Sequence, residues 1–216
     1  MSPAFTAPRP HLALVGRDAP DADDAALVRA VVEGQASAPG LVWDRYATLV
    51  HAILSRSLGP GADVDDQVQV AFVELFREAK NLRDPSALRS FLIGITLRVG
   101  RAELRRRRFR RWLRLTDDGI VPEVADDGGD HDAREAIARL YAVLERLDDK
   151  SRMLFVLRHV EDLELTEVAE AMGMSLATAK RHLAKVTARV HAMAARDPIL
   201  AGYIDTEEAE DAGDQA

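Results

Sequence analysis

The sequence predicts an all-α fold, two small helical domains joined by an acidic flexible linker. Three observations predict it. Apolar residues recur at helical spacing through most of the chain. No segment of useful length alternates apolar and polar residues as a half-buried strand does. Residues 117–132 break the periodicity with seven acids and no Lys or Arg, a composition too charged to build a core. With 216 residues the chain can hold two domains, each with its own core. The expected division is a flexible arm over 1–20, a first domain over 21–114, a linker over 115–132, a second domain over 133–197 and an acidic tail over 198–216.

Each element has a local reason. Pro3, Pro8, Pro10 and Pro20 make the arm too rich in proline for a helix. From Asp21, Leu27, Val28, Val31 and Val32 form a helical stripe, broken between Gly34 and Gly40. Leu41–Leu58 carries Val42, Tyr46, Leu49, Val50, Ile53 and Leu54 on one face and stops at Gly59-Pro60-Gly61. Asp63–Lys80 is a third helix, with Val64, Val68, Phe72, Leu75 and Phe76 apolar and acids in its first turn, where the helix dipole favours them. Asp84 can cap the fourth helix, and Pro85 suits its first position because that N–H is unpaired in any case. This helix extends towards Leu113 with Leu88, Phe91, Leu92, Ile95 and Val99 inward, interrupted by Gly94 and Gly100. After the linker, 133–147, 148–160, 164–172 and 175–195 read as four helices.

Composition excludes several classes. The absence of cysteine removes disulfide scaffolds, Cys-ligated zinc and thiol catalysis. No apolar run approaches the length of a membrane span, and the N-terminus lacks a signal-peptide pattern, so a cytoplasmic protein without membrane insertion is expected. The net charge of −7 argues against nucleic acid until it is read by position. Segments 117–132 and 205–216 carry seven and six acids and no basic residue, so removing their thirteen negative charges leaves +6 on the other 188 residues.

Two basic features stand out. Glu164–Met172, the turn Gly173-Met174-Ser175 and the helix that Ser175 caps have the lengths of a helix-turn-helix, whose second helix can enter the major groove. That helix shows Lys180, Arg181, Lys185 and Arg189, with no acid between Ser175 and Asp197. Ser175, Leu176, Ala177, Thr178, Lys180, Arg181, His182 and Lys185 are its candidate DNA-facing residues. Spacing alone fits an ordinary bundle hairpin equally well. The second feature is the run from Arg101 to Arg114, eight arginines with Phe109 and Trp112 interleaved and Glu103 as its one acid. Such a run can neutralise phosphates while its rings stack on unpaired bases. Enzyme signals are weak: six scattered histidines, no metal-spaced pair, no P-loop and no nucleophile elbow, so no catalytic residue, metal or cofactor is expected.

These features lead to a family. The chain resembles the extracytoplasmic-function (ECF) type of bacterial sigma-70 RNA polymerase sigma factor, over about 41–114 (region 2) and 133–192 (region 4). In the first part, Asp63-Val-Asp-Asp-Gln-Val-Gln-Val-Ala-Phe matches the family's acid-rich start followed by Asp66, Gln69 and Phe72, with Val70 where Glu is usual. Ser86, Arg89, Ser90, Leu92 and Ile95 match its promoter-melting segment, with Phe91 for Trp, Leu88 for Phe and Arg98 for Asn. In the second part Leu147, Arg152, Leu154, Leu157, Arg158, Leu163, Glu167, Gly173, Ser175, Thr178 and Lys180 follow the pattern, with Glu164 where a capping Ser is usual and Asp148 for a frequent Pro.

The resemblance implies a sigma factor that binds core RNA polymerase and directs it to promoters. Asp63, Asp66, Gln69 and Phe72 would dock on the polymerase β′ clamp, and region 4 would meet the β flap. Lys80, Asn81, Arg83, Arg89, Ser90, Arg98, Arg101 and Arg105 would bind and melt the −10 element. The helix-turn-helix would read the −35 duplex. Many family members are held by an anti-sigma factor, which adds one as a candidate partner. The acidic linker would follow the RNA path, and the acidic tail can cover basic surface. The alternative is a helix-turn-helix transcriptional regulator that does not engage core polymerase, for which the Asp66, Gln69 and Phe72 face has no use. An RNA-binding protein would leave the helix-turn-helix unexplained.

Overall fold

A computed structural model describes residues 22–59, 62–82, 84–114 and 131–202. The arm over 1–20, Arg83, residues 115–130 of the linker and residues 203–216 of the tail lie outside the described residues. Among the described residues the elements are α1 (Ala22–Val32), α2 (Ala38–Leu58), α3 (Val64–Glu78), α4 (Leu88–Arg114), α5 (His131–Leu144), α6 (Asp149–Phe155), α7 (Leu165–Ala171) and α8 (Leu176–Ala194). Short 3-10 turns at Ala79–Asn81 and Pro85–Ala87 link α3 to α4, and a π-turn at Val156–Val160 ends α6. No strand occurs among the described residues.

Local chemistry sets the boundaries. Asp63 caps α3 by accepting the Asp66 N–H, with Asp65 and Asp66 in the first turn. Asp84 accepts from the Ser86 N–H at 3.0 Å and so caps the 3-10 turn, one turn before the regular helix that the sequence suggests it starts. Asp148 caps α6, accepting from the Lys150 and Ser151 N–H groups. The π-turn closes on a bond from the Glu161 N–H to the Val156 carbonyl, and Asp162 turns the chain at φ 50°. α5 starts at His131, inside the expected linker. Residues 198–202 are helical rather than tail, because Asp197 accepts from the Ile199 and Leu200 N–H groups and Leu200 is buried.

α1–α4 surround one core, with Ile53, Leu54, Phe72, Leu75, Leu92 and Ile95 among its buried side chains. α5, α8 and the end of α6 enclose a second core around Leu144, Val156, Val186 and Val190. The first core does not stop at α4. Met153, Leu154, Leu157, Leu163 and Val168 belong to the same buried cluster as Leu54, Leu92 and Leu97. α6 and α7 pack directly on α4. This explains why Ile93 and Leu97, outside the inward stripe expected from sequence, are 1% and 0% exposed. α4 is covered on two sides, so the two halves are joined by a shared core as well as by covalent connection.

Candidate nucleic-acid interfaces

The turn between α7 and α8 is a Schellman closure. Gly173 has φ 64°, its N–H bonds the Glu170 carbonyl at 2.9 Å, and the Met174 N–H reaches the Ala169 carbonyl at 2.9 Å. The Ser175 side chain then accepts the Thr178 N–H and caps α8, while Glu164 makes no side-chain cap for α7. α8 buries Ala179, Val186, Val190 and Ala194 and leaves Ser175, Leu176, Ala177, Thr178, Lys180, Arg181 and Lys185 exposed. Seven of the eight residues expected to face DNA therefore share one accessible surface. His182 does not join them. It is half-buried, with Nε2 3.0 Å from Ser151 Oγ, and Ser151 also bonds the Asp148 carboxylate. This chain fastens α8 to the start of α6. Partial burial opposes ionisation of Asp148, but the bonds from Ser151 outweigh it and hold the carboxyl below the usual range.

On α3, Asp63, Asp66 and Gln69 are exposed. Phe72 is a correction: it is 2% exposed and packs beneath Trp43 in a tilted ring contact, centroids 4.6 Å apart. Its position three residues after Gln69 turns it into the α2–α3 core rather than along the polar face. Trp43 is the aromatic ring that reaches this surface, at 39% exposure. It lines a notch of about 470 Å³ with Thr48, His51, Asp65 and Gln69. Helical periodicity on α2 gave no reason to select Trp43, because only packing shows that it covers Phe72.

The proposed −10 residues divide. Lys80, Asn81 and Arg105 are exposed. Arg89 pairs with Glu167 of α7 at 2.8 Å, and Ser90 Oγ lies 3.2 Å from Glu170 Oε1. Arg98 is held by Glu78 at 2.8 Å and Glu74 at 3.2 Å. Burial opposes its charge, but the two carboxylates win and bind its proton more tightly than usual. Arg101 folds back on the Leu97 carbonyl at 3.2 Å.

The arginine run is less available than its count suggests. The buried Glu103 carboxylate receives Arg106 at 2.6 Å, Arg107 at 3.1 Å and Arg110 at 3.0 Å. Burial works against that carboxylate, and the bonds from Arg106 and Arg107 more than compensate, lowering its pKa. Arg108 pairs with Asp149 at 2.8 Å. Phe109 and Trp112 remain 59% and 66% exposed and stack on each other, centroids 6.0 Å apart. Among the described residues no cluster of His and carboxylates is arranged to hold a metal ion.

Residues 42–110 match sigma-70 region 2, and residues 137–189 match sigma-70 region 4. The chain belongs to the sigma-70 family, as an ECF sigma factor. It is 29% identical over 175 residues to RNA polymerase sigma factor NccH of Alcaligenes xylosoxydans xylosoxydans, covering 79% of this chain and 94% of that one. It is 27% identical to the ECF RNA polymerase sigma-E factor of Escherichia coli, covering 74% of this chain and 88% of that protein. A solved structure of CnrH in complex with the cytosolic domain of CnrY matches with a TM-score of 0.58 at 26% identity, over 81% of this chain and 98% of that one. This sigma factor therefore binds core RNA polymerase and promoter DNA. No helix among the described residues is long and apolar enough to cross a membrane.

Proposed function

We propose that this sigma factor recruits core polymerase through α3, reads −35 duplex DNA with α8 and captures the unpaired −10 strand along α4. The two halves, 21–114 and 133–197, serve different promoter elements while sharing a buried core, and they act in the cytoplasm. The observation that carries this reading is the pairing, on one chain, of the exposed Asp66 and Gln69 surface with a cationic helix-turn-helix. A regulator independent of polymerase has no use for the first. Asp63, Asp66 and Gln69 meet the β′ clamp with Trp43 beside them, and α5–α8 contact the β flap. An anti-sigma factor is the proposed further partner.

The protein acts by binding rather than by catalysis. Exposed Lys180, Arg181 and Lys185 supply phosphate and base-edge contacts that set register in the major groove. Opening of the duplex follows from tighter binding to the unpaired form. Stacking and pocket contacts worth ~1–3 kcal/mol per base match the ~1.4 kcal/mol lost per base-pair step over a short A·T-rich stretch. In-vitro transcription with core polymerase on a genomic fragment library tests the reading. The wild type directs new start sites, and a D66A/Q69A variant loses them and fails to co-elute with core while still binding duplex DNA. Absence of new start sites together with absence of co-elution of the wild type defeats it.

A further inference from the structure

α3 packs on α2 and α4 through its buried residues Val68, Ala71, Phe72 and Leu75. The opposite side carries Asp66, Val70, Val73 and Arg77, all of them exposed. Their spacings are four, three and four residues, the pattern that keeps a seam on one side of a helix. Solvent-facing sides of helices are ordinarily polar. This one is apolar at its centre, where Val70 and Val73 are 42% and 54% exposed. Asp66 feels Arg106 through space, but among the described residues neither it nor Arg77 forms an ion pair.

The stripe is symmetric about its middle. An acid stands at one end, a base at the other, and two valines lie between them. Laid antiparallel on a second copy, Asp66 faces the second copy's Arg77, and Val70 faces its Val73. The same two contacts recur with the copies exchanged. Further out, the operation brings exposed Asp63 opposite exposed Lys80, just beyond the end of α3. A two-fold interface demands this reciprocity, in which residue i meets j and j meets i. A parallel arrangement would set acid on acid and base on base. The stripe therefore fits a copy of itself in one direction only.

We propose that α3 pairs antiparallel with α3 of a second copy through Asp66, Val70, Val73 and Arg77, making the polymerase-free sigma factor a weak two-fold dimer. A single helix pair falls below the ~1,200 Å² of a standard interface, which places dissociation at ~10–100 μM. Pairing covers Asp66. The clamp assignment puts polymerase on the same surface, so core and the second copy compete for it. Only that competition rests on the clamp assignment; the dimer does not.

Sedimentation velocity of the full chain, from ~5 to ~500 μM, reads the association. Wild type shifts from monomer to dimer across this range. D66R makes both ends of the stripe basic and R77D makes both acidic, and each alone dimerises at least ~10-fold more weakly than wild type. An equimolar mixture of D66R and R77D dimerises again, because every basic end now faces an acidic one. The D66R/R77D double variant, with the charge order inverted, also recovers dimerisation. Damage to the fold would not be repaired by mixing, so recovery separates a paired seam from a misfolded variant. Core polymerase added to wild type replaces the dimer with a one-to-one complex. Wild type that stays monomeric throughout, single variants that dimerise as wild type does, or a mixture that stays monomeric overturns the seam. A dimer that core polymerase does not disperse keeps the seam and removes the clamp from α3, so the two failures are told apart.

Discussion

The contact between Gly100 and Met153 allows the shared core to be tested by a double-mutant cycle. Met153 is fully buried, and its methyl lies where a Cβ on Gly100 would sit, with Leu54 Cδ2 3.3 Å away on another side. M153A removes a buried side chain and costs ~2–5 kcal/mol. G100A gains ~1 kcal/mol of helix propensity and loses ~1–3 kcal/mol to overpacking, for a net loss of ~0–2 kcal/mol. In the M153A background the obstructing methyl is gone, so the added methyl fills part of the cavity and G100A stabilises by ~1 kcal/mol. The coupling between the two sites is therefore ~1–3 kcal/mol. Urea unfolding followed by far-UV circular dichroism measures all four proteins, with equal m-values as the condition for comparing midpoints. Additivity within ~0.5 kcal/mol would show that α4 and α6 do not touch in solution, and would refute the shared core.

Three further outcomes follow from the site geometry. E103Q removes the carboxylate that receives Arg106, Arg107 and Arg110 and destabilises by ~1–3 kcal/mol in the same unfolding assay; a change under ~0.5 kcal/mol would mean that those arginines are not held. D148A removes the α6 cap and costs ~1–2 kcal/mol at pH 7. Because the Asp148 carboxyl is held below its ordinary value in the folded state, that advantage is present above ~pH 4 and disappears as pH falls through the folded value, so the wild-type and D148A stabilities converge in acid; a constant gap contradicts the bonded carboxylate. K185A weakens duplex binding on all sequences alike and lowers the slope of log affinity against log salt by ~1; an unchanged slope removes Lys185 from the DNA surface.

Much of this protein is legible without coordinates because its elements are set by local rules. Helical spacing located α1 to α8. Asp63, Asp148 and Ser175 mark helix starts, since a cap needs only a short polar side chain next to unpaired N–H groups. Gly173 marks the tight turn for an equally local reason. The outer face of α8 is readable because Ala179, Val186 and Val190 fix which side points inward, which leaves Lys180, Arg181 and Lys185 outside. The charge distribution, too, belongs to the sequence and requires no fold.

Tertiary structure decided what each face meets. Phe72 belonged both to the apolar face of α3 and to a docking pattern, and only its packing beneath Trp43 decided between the two. His182 reads as a DNA-facing residue until Ser151 is found 3.0 Å away. The eight arginines suggested a freely available cationic surface, and Glu103 and Asp149 claim four of them. Above all, the acidic linker suggested two independent domains. The sequence determined that there are two helical groups, each with a basic segment, and that the densest acid lies in the linker and the tail. Only packing decided that the acids of one group rest on the bases of the other. Helical periodicity reports which side of a helix is apolar, whereas the second buried side of α4 arises from a partner more than forty residues away.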